Sequence, residues 1–201
     1  MHAVVMAAGE GRRMRPLSER WPKPVLPIDG RPVIGSLVRE LAAAGLARAT
    51  VVTEHLAEQV EGLLGDGSAF GLVELRYVRQ PSPDGSADAV RRAVAAGARP
   101  PLLVTAADTL FGPGDVRLFV DAFESSGAGA AIAVRPDGGW APLWGLSEAV
   151  TGVLHDLPGP PYELLRAVEL AGVEIARIEI GNTRDLTDPL DFVRENVPYL
   201  R

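Results

Sequence analysis

The chain has 201 residues, 47% hydrophobic and 23% charged, a composition suited to one soluble globular domain with a substantial core. Its net charge is −6 and its basic residues are scattered, which excludes the clustered cations that a nucleic-acid surface needs. The chain has no cysteine, so disulfide bonds and thiolate metal sites are excluded. No apolar run is long enough to cross a bilayer. The apolar run His2–Ala7 has neither a basic segment nor a cleavage site, so we expect it to be a buried strand rather than a leader. We therefore expect no membrane partner and a cytoplasmic location.

Apolar runs of strand length alternate with amphipathic segments of helical length along the chain. This alternation predicts a three-layer α/β fold in which helices cover both faces of a mixed, mainly parallel central sheet. The strands are predicted at His2–Ala7, Arg48–Thr53, Val73–Val78, Leu102–Ala107, Ala130–Val134 and Val173–Ile178. The helices are predicted at Val33–Ala44, Leu56–Leu64, Ala87–Ala96, Val116–Ser125, Tyr162–Ala171 and Asp185–Asn196.

Residues 1–201 are interpreted as a single domain, because this length suits one domain with one core. The chain contains no internal repeat and no low-complexity tract. One region, at about residues 136–161, combines two tryptophans with several glycines and prolines. It is expected to be an irregular insertion or a short antiparallel excursion on the acceptor side. Ligands of mainly parallel sheets bind beyond the carboxyl ends of the strands. The site is therefore expected in the loops that follow Ala7, Val78, Ala107 and Ile178.

The loop after the first strand concentrates glycine and positive charge. Gly9 and Gly11 allow the backbone to bend sharply and to bring its N–H groups close to phosphate oxygens. Arg12, Arg13 and Lys23 follow, and Lys23 is the only lysine among 20 basic residues. A compact ammonium group and a planar guanidinium group are not equivalent at a phosphate. The loop is interpreted as a cradle for a polyphosphate.

Two common phosphate-binding motifs do not fit this loop. A P-loop needs Gly-Lys-Ser/Thr, but Lys23 follows Pro22. A dinucleotide fingerprint needs a third glycine at the position of Met14. Instead, residues 7–27 read Ala-Ala-Gly-x-Gly-x-Arg-x-x-Pro-Leu, followed by Pro-Lys-Pro and a Leu-Pro pair. This stretch resembles the N-terminal signature of the sugar-phosphate nucleotidylyltransferases.

The resemblance implies a Rossmann-like nucleotidyltransferase fold of the GT-A type, and it implies a role for each matching residue. Arg13 and Lys23 are implied to be catalytic. Arg13 would neutralise the phosphates where pyrophosphate leaves, and Lys23 would contact the attacking phosphate or the α-phosphoryl group. Arg12 stands where the family has a small residue. The triphosphate is implied to bind along Ala8, Gly9, Gly11 and Arg12.

A second segment, Gln80–Ala87, precedes the third predicted helix. Its prolines and its Asp-Gly pair favour a rigid turn, and Ser86 is suited to cap the helix. The segment also resembles the base-binding segment of glucose-1-phosphate thymidylyltransferases, in which Gln-Pro-x-Pro-x-Gly precedes Leu-Ala-Gln-Ala. The resemblance implies that Gln80 and Gly85 read the edge of a pyrimidine, with Ser86 also in the nucleotide site. Ser86 and Asp88 replace the Leu and Gln of that pattern, which leaves the preferred base open.

A carboxylate follows the fourth predicted strand. Asp108 offers a hard oxygen ligand suited to Mg²⁺, although an aspartate there is also suited to cap the next turn. In the family a Gly-Asp pair stands at this place and its Asp binds the metal. Here Ala107 replaces the glycine. The resemblance implies that Asp108 is a metal ligand and that Mg²⁺ is the cofactor.

A second acidic segment lies near the end of the chain. Residues 179–186 align with the family's Asp-Ile-Gly-Thr-Pro-Glu-Asp-Leu, which puts Glu179 in the place of a second Mg²⁺ ligand. In an alternative register, Asn182 and Thr183 match an Asn-Thr pair of the cofactor nucleotidyltransferases. Asp185 is expected to cap the final helix or to face solvent.

The resemblance implies transfer of a nucleoside monophosphate from a triphosphate, dTTP or UTP, to a sugar 1-phosphate with release of pyrophosphate. The chain lacks the Glu-Lys-Pro segment with which full-length thymidylyltransferases hold the sugar. A guanylyl- or cytidylyltransferase for a pterin-type cofactor phosphate is therefore a first alternative. The departures at Ala107 and Glu179 suggest a second, a nucleotide-binding regulatory paralogue without turnover. Family members often form homo-oligomers, and the sequence does not decide the oligomeric state.

Overall fold

The computed structural model describes residues 1–82, 85–150, 168–169 and 172–199. The strands of this part of the chain are β1 (His2–Ala7), β2 (Pro27–Ile28), β3 (Arg31–Pro32), β4 (Arg48–Thr53), β5 (Glu74–Arg79), β6 (Leu102–Ala106), β7 (Thr109–Leu110), β8 (Ala130–Val134), β9 (Trp140–Leu146), β10 (Ile175–Glu179) and β11 (Arg184–Asp185). Its helices are α1 (Val33–Ala43), α2 (Ala57–Leu64), α3 (Ser86–Ala95), α4 (Asp115–Ser126) and α5 (Pro189–Asn196). The helix predicted at Tyr162–Ala171 lies outside the described residues, apart from 168–169.

Seven strands form the central sheet in the order β10-β8-β9-β6-β1-β4-β5. The pairs β1–β4, β4–β5, β1–β6 and β8–β10 are parallel, whereas β9 is antiparallel to both of its neighbours. The predicted mixed, mainly parallel sheet is therefore confirmed. The carboxyl ends of β1, β4, β5 and β6 all meet at one edge of the sheet, which is where a site is expected.

Both faces of the sheet are covered, which explains why β1 and β6 consist mostly of apolar residues. Successive side chains of β1 point to opposite faces. Val5 packs in a core with Ile34 of α1 and Phe119 of α4, whereas Val4 packs in a second core with Val90 of α3. The three-layer arrangement predicted from the sequence is thus observed.

The region predicted to be irregular contains a full strand at the centre of the sheet. β9 lies between β6 and β8, so the alternative of an antiparallel excursion is correct for residues 140–146. A Cβ at Gly145 would lie 2.5 Å from the Phe123 ring, so only glycine fits this central position beneath α4. Pro142 cannot donate a ladder hydrogen bond, and the pairing with β8 is irregular beside it, between Ile132 and Val134. Residues 151–161 of the region lie outside the described part of the chain.

The last predicted helix begins four residues later than expected. Residues Arg184–Asp185 form β11, which pairs antiparallel with β7, and α5 starts at Pro189. Asp188 caps α5 by accepting hydrogen bonds from the backbone N–H groups of Leu190 and Asp191, in a capping box. In the described ranges, no helix combines the length and the apolar character that crossing a bilayer requires.

Candidate active site

A cavity of about 540 Å³ opens at the carboxyl edge of the sheet, beside the ends of β1 and β6. A smaller cavity of about 160 Å³ adjoins it, and the two share Gly11, Lys23 and Asp108. Gly9 lines the smaller cavity. The larger one is lined in addition by Arg12, Arg13, Ala106, Pro142, Asp185 and Thr187. The structure therefore brings together most of the residues that the sequence assigned to a triphosphate.

The glycine loop after β1 owes its shape to one left-handed residue and an apolar anchor. Gly11 has a φ of 62°, a conformation that favours glycine, and the chain then enters a short 3₁₀ turn at Arg12–Met14. Met14 is fully buried in an apolar cluster under the loop. The cluster also contains Leu26, Ile28, Val33 and Leu186. Ala8, directly after β1, is also buried, so the start of the loop is packed against the core.

The cations of the loop have different partners. The ammonium group of Lys23 forms an ion pair with the carboxylate of Asp108, and both side chains are mostly buried. Arg12 is exposed and donates to Glu10 at 2.6 Å, and this hydrogen bond, together with the charge of Arg12, lowers the pKa of Glu10. Arg13 lines the cavity without an ion-pair partner among the described residues. Arg13 is therefore available to an anionic ligand, and Lys23 lies between the two cavities, where such a ligand would meet it.

Asp185 is a cavity residue that the sequence prediction missed. The prediction that it caps the last helix or faces solvent is wrong, because Asp188 provides the cap and Asp185 lines the cavity. Its Oδ1 accepts a hydrogen bond of 2.6 Å from Thr109 Oγ1. The β7–β11 ladder places it there, since Asp185 pairs with Thr109 and the N–H of Leu186 donates to the carbonyl of Asp108. Two-residue strands leave no periodic signal that would reveal such an arrangement.

Glu179 does not share this cavity. It is the last residue of β10, the outermost strand of the sheet, and its side chain is exposed. Strands β8 and β9 lie between β10 and the strand that leads to Asp108. In the described part of the chain, no group of three or more histidine or acidic side chains is arranged to hold a metal ion.

The residues assigned to the base form a separate cluster after β5, at the carboxyl edge of the sheet. Gln80 is buried, and its Nε2 donates to the carbonyl of Gly85 at 2.8 Å and to Oδ2 of Asp88 at 3.0 Å. Gly85 precedes α3 with a φ of 87°, which again favours glycine. Ser86 makes no capping hydrogen bond, and its Oγ is buried without a partner among the described residues. The expectation that Ser86 caps α3 is therefore wrong.

The cavity at the carboxyl edge of this mainly parallel sheet thus combines cations, carboxylates and the glycine backbone of the β1 loop. A profile of the nucleotidyl transferase family matches residues 2–140. This chain belongs to the nucleotidyl transferase family. The family predicted from the glycine loop and from the segment after β5 is confirmed.

Curated relatives of this nucleotidyl transferase family member share part of its length. It is 35% identical over 136 residues to the low-salt glycan biosynthesis nucleotidyltransferase of Haloferax volcanii, across 67% of this chain and 38% of that protein. It is 43% identical over 82 residues to the N-acetylmuramate alpha-1-phosphate uridylyltransferase of Neisseria meningitidis serogroup B, across 41% of this chain and 35% of that protein. The match thus spans less than two-fifths of either relative.

The fold is also similar to solved structures. A crystal structure of a Bacillus anthracis protein assigned as a glucose-1-phosphate thymidylyltransferase, in complex with a sucrose, superposes with a TM-score of 0.83. The similarity covers 98% of this chain and 95% of that one at 19% identity. At this identity the likeness concerns the fold, and it confirms the predicted Rossmann-like α/β architecture of this family member.

Proposed function

We propose that the protein transfers a nucleoside monophosphate from a nucleoside triphosphate to a phosphorylated sugar and releases pyrophosphate. The observation that carries this proposal is the convergence of Arg13, Lys23 and Asp108 in one cavity beside the two glycines of the β1 loop. The two cations and the exposed backbone N–H groups of the turn can neutralise and bind the phosphates of two substrates, and the carboxylate can hold a metal ion between them. The family to which the chain belongs supports the same chemistry.

In the proposed reaction, an oxygen of the acceptor phosphate attacks the α-phosphorus in line with the bond to the β-phosphate. The new P–O bond forms as the bond to the bridging oxygen breaks, and pyrophosphate leaves with the electron pair. A phosphate monoester is already a nucleophile near neutral pH, so no side chain has to remove a proton. The protein's contribution is to position the two substrates and to neutralise their charge. Arg13 faces the leaving phosphates, and Lys23 faces the α-phosphate or the acceptor.

The donor set of the cavity fits Mg²⁺, the cofactor we infer. Mg²⁺ in phosphoryl-transfer sites is held by one or two carboxylates, with waters and substrate phosphates as the other ligands. Asp108 provides the first carboxylate. For the second position, Asp185 lines the same cavity, whereas Glu179, the ligand predicted from the sequence, is exposed at the end of the outermost strand. We therefore propose Asp108 and Asp185 as the protein ligands. When bound, the metal neutralises charge that develops on the phosphates.

The proposed donor is UTP or dTTP, and the proposed acceptor is a sugar 1-phosphate. The resemblance of Gln80–Ala87 to a pyrimidine-binding segment supports the donor, and the similarity to a uridylyltransferase of Neisseria supports uridine in particular. That relative's name also supports a sugar 1-phosphate as acceptor.

The test is pyrophosphate release with Mg²⁺, five nucleoside triphosphates and a panel of sugar 1-phosphates. We expect release only when both substrates are present. Lys23→Met and Arg13→Gln should each reduce turnover by about 10²- to 10³-fold, as expected for the loss of a charge-stabilising group. Arg20→Gln is the matched control, because Arg20 is exposed in the same segment and lines neither cavity. Triphosphate binding without release for any pair would contradict the proposal and favour a binding-only protein.

A further inference from the structure

Both amide hydrogens of Gln80 are already used within the protein. The residue is 4% exposed. Its Nε2 has two acceptors, the carbonyl oxygen of Gly85 at 2.8 Å and Oδ2 of Asp88 at 3.0 Å. A carboxamide has two N–H donors and one carbonyl oxygen. Gln80 therefore has only its acceptor, Oε1, left for a ligand.

Asp88 fixes this orientation because it is an ionised, enclosed acceptor. Its side chain is 9% exposed in the first turn of α3. Arg91 donates to its Oδ1 at 2.9 Å and Arg92 to its Oδ2 at 2.5 Å. Burial raises the pKa of Asp88, but the hydrogen bonds from Arg92 and Gln80 and the charges of the two arginines outweigh burial, so the pKa lies below its ordinary value.

Two contacts disfavour the opposite orientation of the Gln80 amide. A flipped amide would place Oε1 against the carboxylate of Asp88 and against the carbonyl of Gly85, so that acceptors face acceptors. The two donors that now meet those oxygens would be lost as well. A buried acceptor without a donor costs free energy comparable to its full desolvation.

We propose that Asp88 holds Gln80 as a pure acceptor and thereby makes the site select nucleobases that carry a ring N–H. Uracil and thymine present N3–H, and guanine presents N1–H, on the edge that pairs with other bases. When Oε1 of Gln80 faces the ring nitrogen of the base, cytosine and adenine present a lone pair there, which opposes Oε1. The inference rests on the proposed function, with Gln80 reading the base. Asp88 is a positioning residue, since it acts through Gln80.

The experiment measures the affinities of UTP, dTTP, GTP, CTP and ATP for the protein by calorimetry, without an acceptor. For the unmodified chain we expect UTP, dTTP and GTP to bind at least about tenfold more tightly than CTP and ATP, the effect of one hydrogen bond replaced by an unmet acceptor. In Asp88→Asn, the side-chain amide can donate to a flipped Gln80. The preference should therefore shrink by about threefold or more.

Two variants separate positioning from general damage to α3. Arg92→Gln removes an ion pair of Asp88 but leaves the Gln80–Asp88 bond, so the base preference should persist. Asp88→Glu keeps the negative charge and should retain part of the base preference. If Asp88→Asn does not fold, the comparison of Asp88→Glu with the unmodified chain tests the role of Asp88 instead.

Three results of these affinity measurements would overturn the inference or part of it. Equal affinities for all five triphosphates would overturn the base selection and leave the proposed transferase standing. An unchanged preference in a folded Asp88→Asn would overturn the role of Asp88. Failure of all five to bind would overturn both the inference and the proposed function.

Discussion

Replacement of Gly11 by alanine tests how the glycine loop is built. Gly11 has a φ of 62°, and a Cβ built on it would lie 3.3 Å from Cβ of Ser18 and 3.4 Å from Cβ of Lys23. A left-handed conformation costs a residue with a Cβ roughly 1–2 kcal/mol. The two close contacts add to this cost, because the segment that carries Lys23 must shift by a few tenths of an ångström. The variant should therefore disturb stability and the position of Lys23 together.

Gly9 offers a matched control two residues away. A Cβ at Gly9 meets nothing within 4 Å, and Gly9 does not have a positive φ. Both glycine-to-alanine changes reduce the freedom of the unfolded chain, which contributes about 0.4–1 kcal/mol to stability in each case. This contribution cancels when the two variants are compared. The difference in their free energies of unfolding should thus be about 1–2 kcal/mol, with Gly11→Ala the less stable.

Urea denaturation followed by circular dichroism measures that difference. Free energies of unfolding that agree within about 0.5 kcal/mol would refute the assignment of strain to Gly11. The same two proteins also separate stability from function. Gly9→Ala should remain folded but lose turnover, because its new methyl group would occupy the path by which phosphate oxygens reach the backbone N–H groups.

Three further predictions concern other parts of the molecule. Asp185→Asn should weaken Mn²⁺ binding in the presence of triphosphate by about tenfold, and Glu179→Gln should not; electron paramagnetic resonance of free Mn²⁺ measures both, and the reverse ranking would restore Glu179 as the ligand. Asp188→Ala should lower the free energy of unfolding by about 1 kcal/mol through loss of the α5 cap, and an unchanged urea midpoint would contradict this. Burial, with the charges of Glu61 and Asp66, raises the pKa of Tyr77 to about 12. The stability that this tyrosine contributes should be complete below its ordinary pKa near 10 and be lost as the pH rises towards 12. The difference in absorbance at 295 nm between the unmodified chain and Tyr77→Phe measures the titration of Tyr77. A midpoint near pH 10 would contradict the raised pKa.

Much of the fold could be predicted because the relevant signals are local. β1 and β6 are mostly apolar runs, and these strands and β4 are largely buried on both faces of the sheet. Lys23 and Asp108 were singled out by motifs beside such strands, and the structure pairs them in one cavity. Loop chemistry at the carboxyl end of a parallel strand is therefore readable when the strand itself is unambiguous.

The elements that the sequence predicted only loosely or not at all depend on contacts between distant parts of the chain. β9 contains Pro142 and Gly145, residues that disfavour strands, and it forms because β6 and β8 flank it and Phe123 covers the glycine. Asp185 reaches the cavity through a two-residue ladder with Thr109, which carries no periodic pattern. In both cases tertiary packing overrides local preference.

The network around Gln80 shows the same limit at the level of single atoms. The sequence indicated a carboxamide able to donate and to accept. Only the structure shows that Gly85 and Asp88 take both of its donors. Which half of a side chain remains for a ligand depends on neighbours that the sequence does not place.

The fate of the α-phosphate tests the central claim most directly. The protein is incubated with Mg²⁺, a sugar 1-phosphate and UTP labelled with ³²P at either the α- or the γ-position, and the products are separated by chromatography. Nucleotidyl transfer predicts that the α-label enters the sugar product while the γ-label appears only in pyrophosphate. Lys23→Met should reduce both signals together. Appearance of the γ-label in the sugar product or in free orthophosphate, with the α-label left in a nucleoside diphosphate, would contradict the account.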